Sequence, residues 1–215
     1  MLSNRMMTLL AGVAALSCNS DSTQPPGPPT ELLITGGNQQ SWYFNNVLPT
    51  ALSVIATDPS GRGVPGVTIL WTATSGGLNP AQSMTDASGV ATTRDSLGSS
   101  TQQTVNATFT GLPVAVTFTQ IGLTPPTTAD VTVQNFLFNA DSVLVQAGGT
   151  VTWTWASGQT AHNVTYVSGP TPLPTNSTNL TDGATFSTPF TSAGTYTYRC
   201  SIHPTQMNGK VVVVH

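Results

Sequence analysis

Near its C-terminus the chain reads Gly194-Thr-Tyr-Thr-Tyr-Arg-Cys200-Ser-Ile-His203-Pro-Thr-Gln-Met207, a strand pattern that leads into a loop of metal-binding residue types. Alternation places both tyrosines and Cys200 on one face, because successive side chains of a strand point to opposite sides. Arg199 points the other way, toward solvent. Cys200 therefore ends the predicted strand on its inner face, where a core can shield a thiolate, and His203 and Met207 follow in the next loop.

A second imidazole for the same site comes from His162, in a separate segment. The chain has only three histidines and two cysteines, so this set takes up most of its nitrogen and thiolate ligands. Two imidazoles and a thiolate with a weak axial thioether form the ligand set of blue-copper electron-transfer sites. We therefore predict one type 1 copper bound by His162, Cys200, His203 and Met207. Gln206 is a second candidate for the axial position.

Other roles for this segment fit less well. A structural zinc site needs four ligands, and this half of the chain has no further cysteine, while His215 at its end is expected to be solvated. A haem attachment motif needs two cysteines before the histidine. A buried structural thiol at Cys200, with Met207 as core filler, stays open as the simplest alternative.

The N-terminus has the pattern of a secretory signal. Met1 to Arg5 carries one positive charge, and Met6 to Leu16 is an apolar run of 11 residues, too short to span a bilayer. Ala15-Leu16-Ser17-Cys18 resembles a bacterial lipoprotein signal, which implies a signal peptide over residues 1–17 and lipidation of Cys18. An ordinary signal peptide with an unpaired thiol at Cys18 is the alternative. Residues 18–30, polar and proline-rich, are expected to form a semi-extended tether.

The rest of the chain has the composition of an all-β protein. Charged residues make up only 6% of the sequence, and it contains 20 glycines and 16 prolines. Short alternating runs bounded by turn residues recur, and no helical periodicity stands out beyond the signal. Two β-sandwich domains are predicted, over residues 31–122 and 131–215, with a linker at residues 123–130. The net charge is −3 and no basic cluster is present, which argues against nucleic acid as a partner.

The first domain has five predicted strands, at residues 51–57, 67–73, 89–94, 103–110 and 114–119. Its motifs Asp58-Pro-Ser-Gly61, Val64-Pro-Gly-Val67-Thr-Ile-Leu-Trp71 and Thr85-Asp-Ala-Ser-Gly89 resemble, in their order, the invasin-type bacterial immunoglobulin-like domains. The resemblance implies an immunoglobulin-like sandwich that serves as a spacer or an adhesive module on a bacterial surface. Since no cluster of catalytic residue types is present and Trp71 fits a core position, we favour a spacer.

The second domain has seven predicted strands, at residues 131–138, 143–146, 151–155, 162–167, 184–190, 195–200 and 211–214. Its motifs look like those of the cupredoxins of the plastocyanin, pseudoazurin and amicyanin group: Gly148-Gly-Thr-Val-Thr-Trp153, His162-Asn-Val164, the segment quoted above, and Met207-Asn-Gly-Lys-Val211. The resemblance implies a Greek-key β-sandwich with copper at one end. It also implies that Asn163 is tied to Ser201, the residue after the cysteine, and it favours Met207 over Gln206 as axial ligand.

By this resemblance, we expect a membrane-anchored blue-copper protein that transfers single electrons in the bacterial cell envelope, facing the periplasm or the exterior. The expected partner is a redox protein, such as a cytochrome or a copper oxidase, and the membrane is reached through the lipid on Cys18. Asp141 and Asp182 are too isolated for acid–base catalysis, so no enzymatic turnover is expected. Two alternatives stay open. One is a copper storage or resistance protein, against which Cys200 counts, and the other is a surface adhesion protein with an accessory copper domain.

Overall fold

The computed structural model describes residues 24–215, and every regular element in that range is a β-strand. The strands form four sheets, two in each half of the chain, so the prediction of two successive β-sandwiches is confirmed. The predicted signal peptide, residues 1–17, and the predicted lipidation site, Cys18, lie outside the described residues. Between residues 24 and 215, no helix has the length and hydropathy that crossing a bilayer requires.

The first domain is a sandwich of nine strands. Its two sheets have the strand orders β1-β3-β7-β5 and β2-β9-β8-β4-β6. All five predicted strands are present, with ends shifted by at most four residues, whereas four short or edge strands escaped the alternation pattern. The nine strands are β1 (Glu31–Gly36), β2 (Ser41–Tyr43), β3 (Leu52–Thr57), β4 (Thr68–Ala73), β5 (Gly77–Asn79), β6 (Gln82–Met84), β7 (Val90–Ser96), β8 (Gln102–Thr108) and β9 (Val116–Leu123).

The second half of the predicted tether is held against this domain. The buried carboxylate of Asp58 accepts the N–H of Gly27 at 2.9 Å and both the Nε and a terminal nitrogen of Arg62, while Arg62 also donates to the Gln24 carbonyl at 2.9 Å. The Gly27 N–H, together with the other donors, lowers the pKa of Asp58 to about 2. Residues 24–30 are therefore attached to the domain and do not extend away from it as a spacer.

Asp95, on β7, is a buried acid without partners. Its side chain is 1% exposed, and neither carboxylate oxygen has a hydrogen-bond partner within residues 24–215. Burial in an apolar core disfavours the charged form, and it raises the pKa of Asp95 from 3.8 to about 6. The charged side chain is thus a source of instability for the first domain at neutral pH.

Replacing Asp95 with asparagine should remove a pH-dependent loss of stability. Because its pKa is higher in the folded chain than in the unfolded chain, wild-type stability should fall as pH rises from about 3.8 through about 6. The neutral amide does not titrate, so the Asp95→Asn protein should lose less over this range and be the more stable of the two at pH 7. Calorimetric melting temperatures from pH 4 to pH 8 measure both; equal slopes for the two proteins would contradict this assignment.

The second domain is a sandwich of eight strands in two sheets, ordered β11-β10-β13-β15 and β12-β17-β16-β14. Inward-facing side chains of β13 and β16, among them Trp153 and Tyr198, are fully buried, as the alternation predicts. The strands are β10 (Thr128–Gln134), β11 (Leu137–Asn139), β12 (Ser142–Gln146), β13 (Gly149–Trp155), β14 (Thr165–Ser168), β15 (Thr185–Phe190), β16 (Gly194–Arg199) and β17 (Asn208–Val214).

Two of the seven predicted strands differ in extent from the strands of the structure. The predicted strand 131–138 is a hairpin of β10 and β11, because the chain reverses at Asn135 and Phe136, and Phe136 has a φ of 64°. The predicted strand 162–167 begins only at Thr165, and His162 precedes it as an isolated bridge to Leu180. Both differences lie beside the predicted copper ligands.

The connection between the domains is shorter than the predicted linker, residues 123–130. Leu123 still belongs to β9, and Thr128 already pairs with Thr150 of β13, so only residues 124–127 lie outside strands. At the same end of the second domain, the Asn46 side chain exchanges two hydrogen bonds, of 3.0 and 3.1 Å, with the backbone of His215. These contacts join the first domain to the end of β17.

Strand directions place the predicted copper loop far from this contact. β17 starts at Asn208, directly after Met207, and runs toward His215, so the loop and the interdomain contact lie at opposite ends of the second domain. In the first domain, Glu31 pairs with Thr57 at one end, while Asn46 lies at the other. The predicted metal site therefore lies at the end of the second domain that points away from the first domain and from residue 24.

Candidate metal centre

Three ligating atoms converge at one end of the second sandwich. The Nδ1 atoms of His162 and His203 are 3.1 Å apart, and the Cys200 Sγ lies 3.8 Å from the first and 3.7 Å from the second. Bonds of about 2.0 Å to histidine nitrogen and about 2.3 Å to cysteine sulfur are usual for a first-row metal ion in proteins, and a triangle with these edges accommodates them. The donor set therefore fits a single metal ion.

The loop after β16 brings Cys200 and His203 together through its own backbone. The Cys200 N–H donates to the Met207 carbonyl at 3.0 Å, and the Met207 N–H donates to the His203 carbonyl at 3.1 Å. These bonds close residues 200–207 into a ring, so the imidazole returns over the sulfur at the strand end. The loop geometry is thus fixed by main-chain hydrogen bonds that do not involve the ligating atoms.

His162 is held by a different part of the sandwich. Its N–H and carbonyl form a two-way bridge with Leu180, at 3.0 and 2.9 Å, and its carbonyl also accepts the indole N–H of Trp155 at 3.1 Å. The ring is fully buried, and its Nε2 has no hydrogen-bond partner within residues 24–215. Burial, and then the nearby charge of His203, lower the pKa of His162. The neutral imidazole, the form that binds a metal, is therefore favoured.

Met207 and Gln206, the two candidates for the axial position, occupy different environments. Met207 is fully buried in the same core cluster as Cys200. Gln206 is exposed on the surface of the loop. The thioether of Met207 lies in the core beside Cys200, whereas the amide of Gln206 lies in solvent. This difference favours Met207 as the axial donor.

Two family models match separate regions of the chain. The model of copper binding proteins of the plastocyanin/azurin family matches residues 126–214, and the model of the bacterial Ig-like domain (group 1) matches residues 39–119. Amicyanin-alpha of Methylorubrum extorquens is 37% identical over 90 residues, which make up 41% of this chain and 74% of that protein. The chain belongs to the plastocyanin/azurin family of copper-binding proteins.

Solved structures are also similar to part of the chain. The purple cupredoxin from Nitrosopumilus maritimus is 28% identical, with 40% of this chain and 98% of that chain covered and a TM-score of 0.36. Auracyanin from Roseiflexus castenholzii is 21% identical, with 42% and 99% covered and a TM-score of 0.36. The family match and the His-Cys-His set together confirm the prediction that the cofactor is one type 1 copper.

Asn163 connects the two halves of this cupredoxin's copper site. Its Oδ1 accepts the backbone N–H of Ser201 at 2.8 Å, and its Nδ2 donates to the Ser201 hydroxyl at 2.8 Å and to the Asn179 Oδ1 at 2.7 Å. The residue after one ligand, His162, is thereby bonded to the residue after another, Cys200. The side chain ties together two segments that the sandwich brings in from separate strands.

Phe136 is a site residue that the sequence did not reveal. Its ring stands edge-on to both imidazoles, with centroids 4.8 Å from His203 and 5.9 Å from His162, and it is 49% exposed. A phenylalanine at positive φ costs on the order of 1 kcal/mol, which the turn between β10 and β11 must offset. The pair Asn135-Phe136 between two alternating runs was the one signal of a turn, since asparagine is common in turns.

Replacing Asn163 with alanine should weaken copper binding by roughly 10- to 100-fold, because residues that hydrogen-bond beside the ligands hold the ligands in their binding orientation. Copper affinity measured by competition with a chelator gives the effect, and the melting temperature of the copper-free protein separates it from loss of fold. Asn179→Ala is the matched control, since it removes only one of the bonds that Asn163 makes. Equal affinities for the two variants would contradict a ligand-positioning role for Asn163.

Proposed function

We propose that this protein is a membrane-anchored carrier of single electrons in the bacterial cell envelope. Its copper ligands in this proposal are His162, Cys200 and His203, with Met207 in the axial position. The observation that carries the proposal is the convergence of one buried cysteine sulfur and two imidazole nitrogens, at separations of 3.1 to 3.8 Å. The membership in the plastocyanin/azurin family supports the same function.

The side chains of the site suit a rapid one-electron step. Copper, when bound, supplies the redox chemistry by alternating between Cu(I) and Cu(II). Thiolate and imidazole ligands suit copper, and the long axial thioether is a weak donor. Because the ligand positions are set by backbone bonds and by core packing, the ligands need to move little when the charge of the site changes. Small rearrangement is the property that electron exchange requires.

We propose a carrier and not an enzyme, because the ligand set is that of electron-transfer copper sites. Phe136 stands edge-on to both imidazoles. His203 is only partly buried, and Ile202 beside it is 43% exposed. A redox protein, such as a cytochrome or a copper oxidase, could approach this end of the domain closely enough to exchange an electron.

Replacing Cys200 with serine should abolish the intense visible absorption of the Cu(II) protein while leaving the domain folded. The absorption of such sites comes from charge transfer between the thiolate and Cu(II), and Cys200 is the one cysteine of the second domain. Visible absorption after addition of Cu(II), with far-ultraviolet circular dichroism as the check of folding, measures the result. Full absorption in the variant would refute the proposed ligand set.

Replacing Met207 with leucine should leave copper bound and raise the reduction potential. The thioether is a weak, long ligand, so its loss does not eject the ion, but Cu(II) loses a donor in an apolar site. Protein-film voltammetry measures the potential. Met84→Leu is the matched control, since Met84 is 65% exposed in the first domain. An unchanged or lower potential in the Met207 variant would exclude Met207 as the axial ligand.

The membrane anchor is the part of the proposal that depends on the signal sequence. If Cys18 is lipidated, the Cys18→Ala protein should move from the membrane fraction to the soluble periplasmic or secreted fraction. Its visible spectrum should not change, because none of the four proposed ligands lies in the first domain or before it. Fractionation of cells that express each form, followed by immunoblotting, tests this. A variant that still sediments with membranes would overturn the lipoprotein assignment.

A further inference from the structure

The second domain is almost without charge, and both of its basic side chains stand on one surface. Between residue 128, where β10 begins, and residue 215, the strongly charged residues are Asp130, Asp141, Asp182, Arg199 and Lys210. Thr197 pairs with Lys210 across β16 and β17, and Arg199 pairs with Asn208 two residues on. The intervening positions face the core, since Tyr198 is 1% exposed and Val211 is fully buried. Arg199 and Lys210 therefore project together from the outer face of the sheet.

Among the residues that the structure describes, no ion pair neutralises these two cations. The salt bridge found within residues 24–215 is that of Arg62 with Asp58, in the first domain. Asp141 lies on the rim of the same surface, and its backbone carbonyl accepts the Lys210 N–H at 2.8 Å, but its carboxylate is not within ion-pair distance of either cation. The surface keeps two positive charges against one negative charge, in a protein whose net charge is −3.

A shallow depression of about 490 Å³ opens between these side chains. Tyr198 and Gly209 form its floor; their side-chain positions face the core, where the lack of a Cβ at Gly209 makes room for the Tyr198 ring. Val167, 53% exposed, forms an apolar part of the wall. The surface thus combines positive charge, an apolar contact and a recess, as protein interfaces commonly do.

The depression lies beside the copper ligands along the chain. Arg199 immediately precedes Cys200, and Asn208, which also lines the depression, immediately follows Met207. A protein that docked on this surface would therefore be one peptide unit from the Cys200 backbone. This surface differs from a charged patch elsewhere on the molecule because it lies next to the Cys200 thiolate.

We propose that this basic face, defined by Arg199, Lys210 and the depression between them, docks a redox partner whose contact surface carries carboxylates. The inference rests on the proposed electron-transfer function and adds the charge of the partner to it. Complementary charge steers an encounter and can raise association rates by 10- to 1000-fold at low ionic strength. In a domain with so few charges, two adjacent cations dominate the local field.

Oxidation of the reduced, copper-loaded full chain by hexacyanoferrate(III) probes the face with a small anion. One electron passes from the reduced protein to iron(III), which becomes iron(II), and stopped-flow absorbance follows the reaction. Arg199→Gln and Lys210→Gln should each slow the reaction several-fold at low ionic strength, and the difference should vanish near 1 M salt, where the Debye length is about 3 Å. Asp141→Asn should accelerate it. Arg94→Gln, which removes an exposed cation of the first domain, is the matched control and should have little effect.

A macromolecular carboxylate distinguishes a partner surface from a small-anion site. Poly-L-glutamate should slow the oxidation of the wild-type protein, and it should have little effect on the Arg199→Gln/Lys210→Gln protein. Inorganic phosphate at the same concentration of charge should not protect. Equal protection by phosphate would overturn the inference in favour of a site for small anions. Rates for the Arg199 and Lys210 variants equal to that of Arg94→Gln would overturn it in favour of a general effect of net charge.

Two further measurements separate this inference from the proposed function. The visible spectrum of each variant must match the wild type, so that a slower rate reflects docking and not a change at copper; Arg199→Lys should restore the wild-type rate. If the wild-type protein exchanges electrons rapidly but without dependence on these side chains, the inference fails and the proposed function stands. If neither hexacyanoferrate(III) nor a cationic cobalt(III) oxidant takes an electron from the reduced wild-type protein, both fail.

Discussion

Two imidazole nitrogens and a cysteine sulfur are held within 3.8 Å of one another, and most of the second domain is organised around that requirement. The two imidazoles and the cysteine sulfur do not hold one another at these separations, so other interactions of the fold must keep them in place. Backbone bonds close the loop of Cys200 and His203, while bonds to Leu180 and Trp155 hold His162. The Asn163 side chain then joins the two parts. The ligand positions are thus held by interactions within the protein that do not involve the ligating atoms.

The same arrangement accounts for the burial pattern around the site. His162 and Cys200 are fully buried, whereas His203 is only partly covered, and Phe136 stands over both rings. Burial of His162 lowers its pKa and favours the neutral ligand. One imidazole is therefore held by the core, and the other lies close to the surface where a partner can approach. Placement of the site at the end of β17 that lies away from the first domain leaves this approach open.

The structure brings together three of the predicted ligands, His162, Cys200 and His203, and the last two of these come from one strand and the loop that follows it. Alternation along β16 identified the inner face on which Cys200 lies, and seven short strands with turn signals indicated the sandwich. The sequence did not predict the position of Phe136, because that depends on a reversal at positive φ, which no apolar pattern encodes. It also missed the attachment of residues 24–30, because the contact with Asp58 is long-range and is made by the backbone of Gly27.

X-ray absorption spectroscopy at the copper edge tests the central claim most directly, because it counts the ligands of the metal in both oxidation states. The account predicts one copper per chain with two nitrogen donors and one short sulfur donor, and nearly the same distances after reduction. The Cys200→Ser protein should lose the short sulfur signal. A wild-type spectrum without that sulfur, or ligand distances that change substantially on reduction, would contradict the proposed site for single-electron transfer.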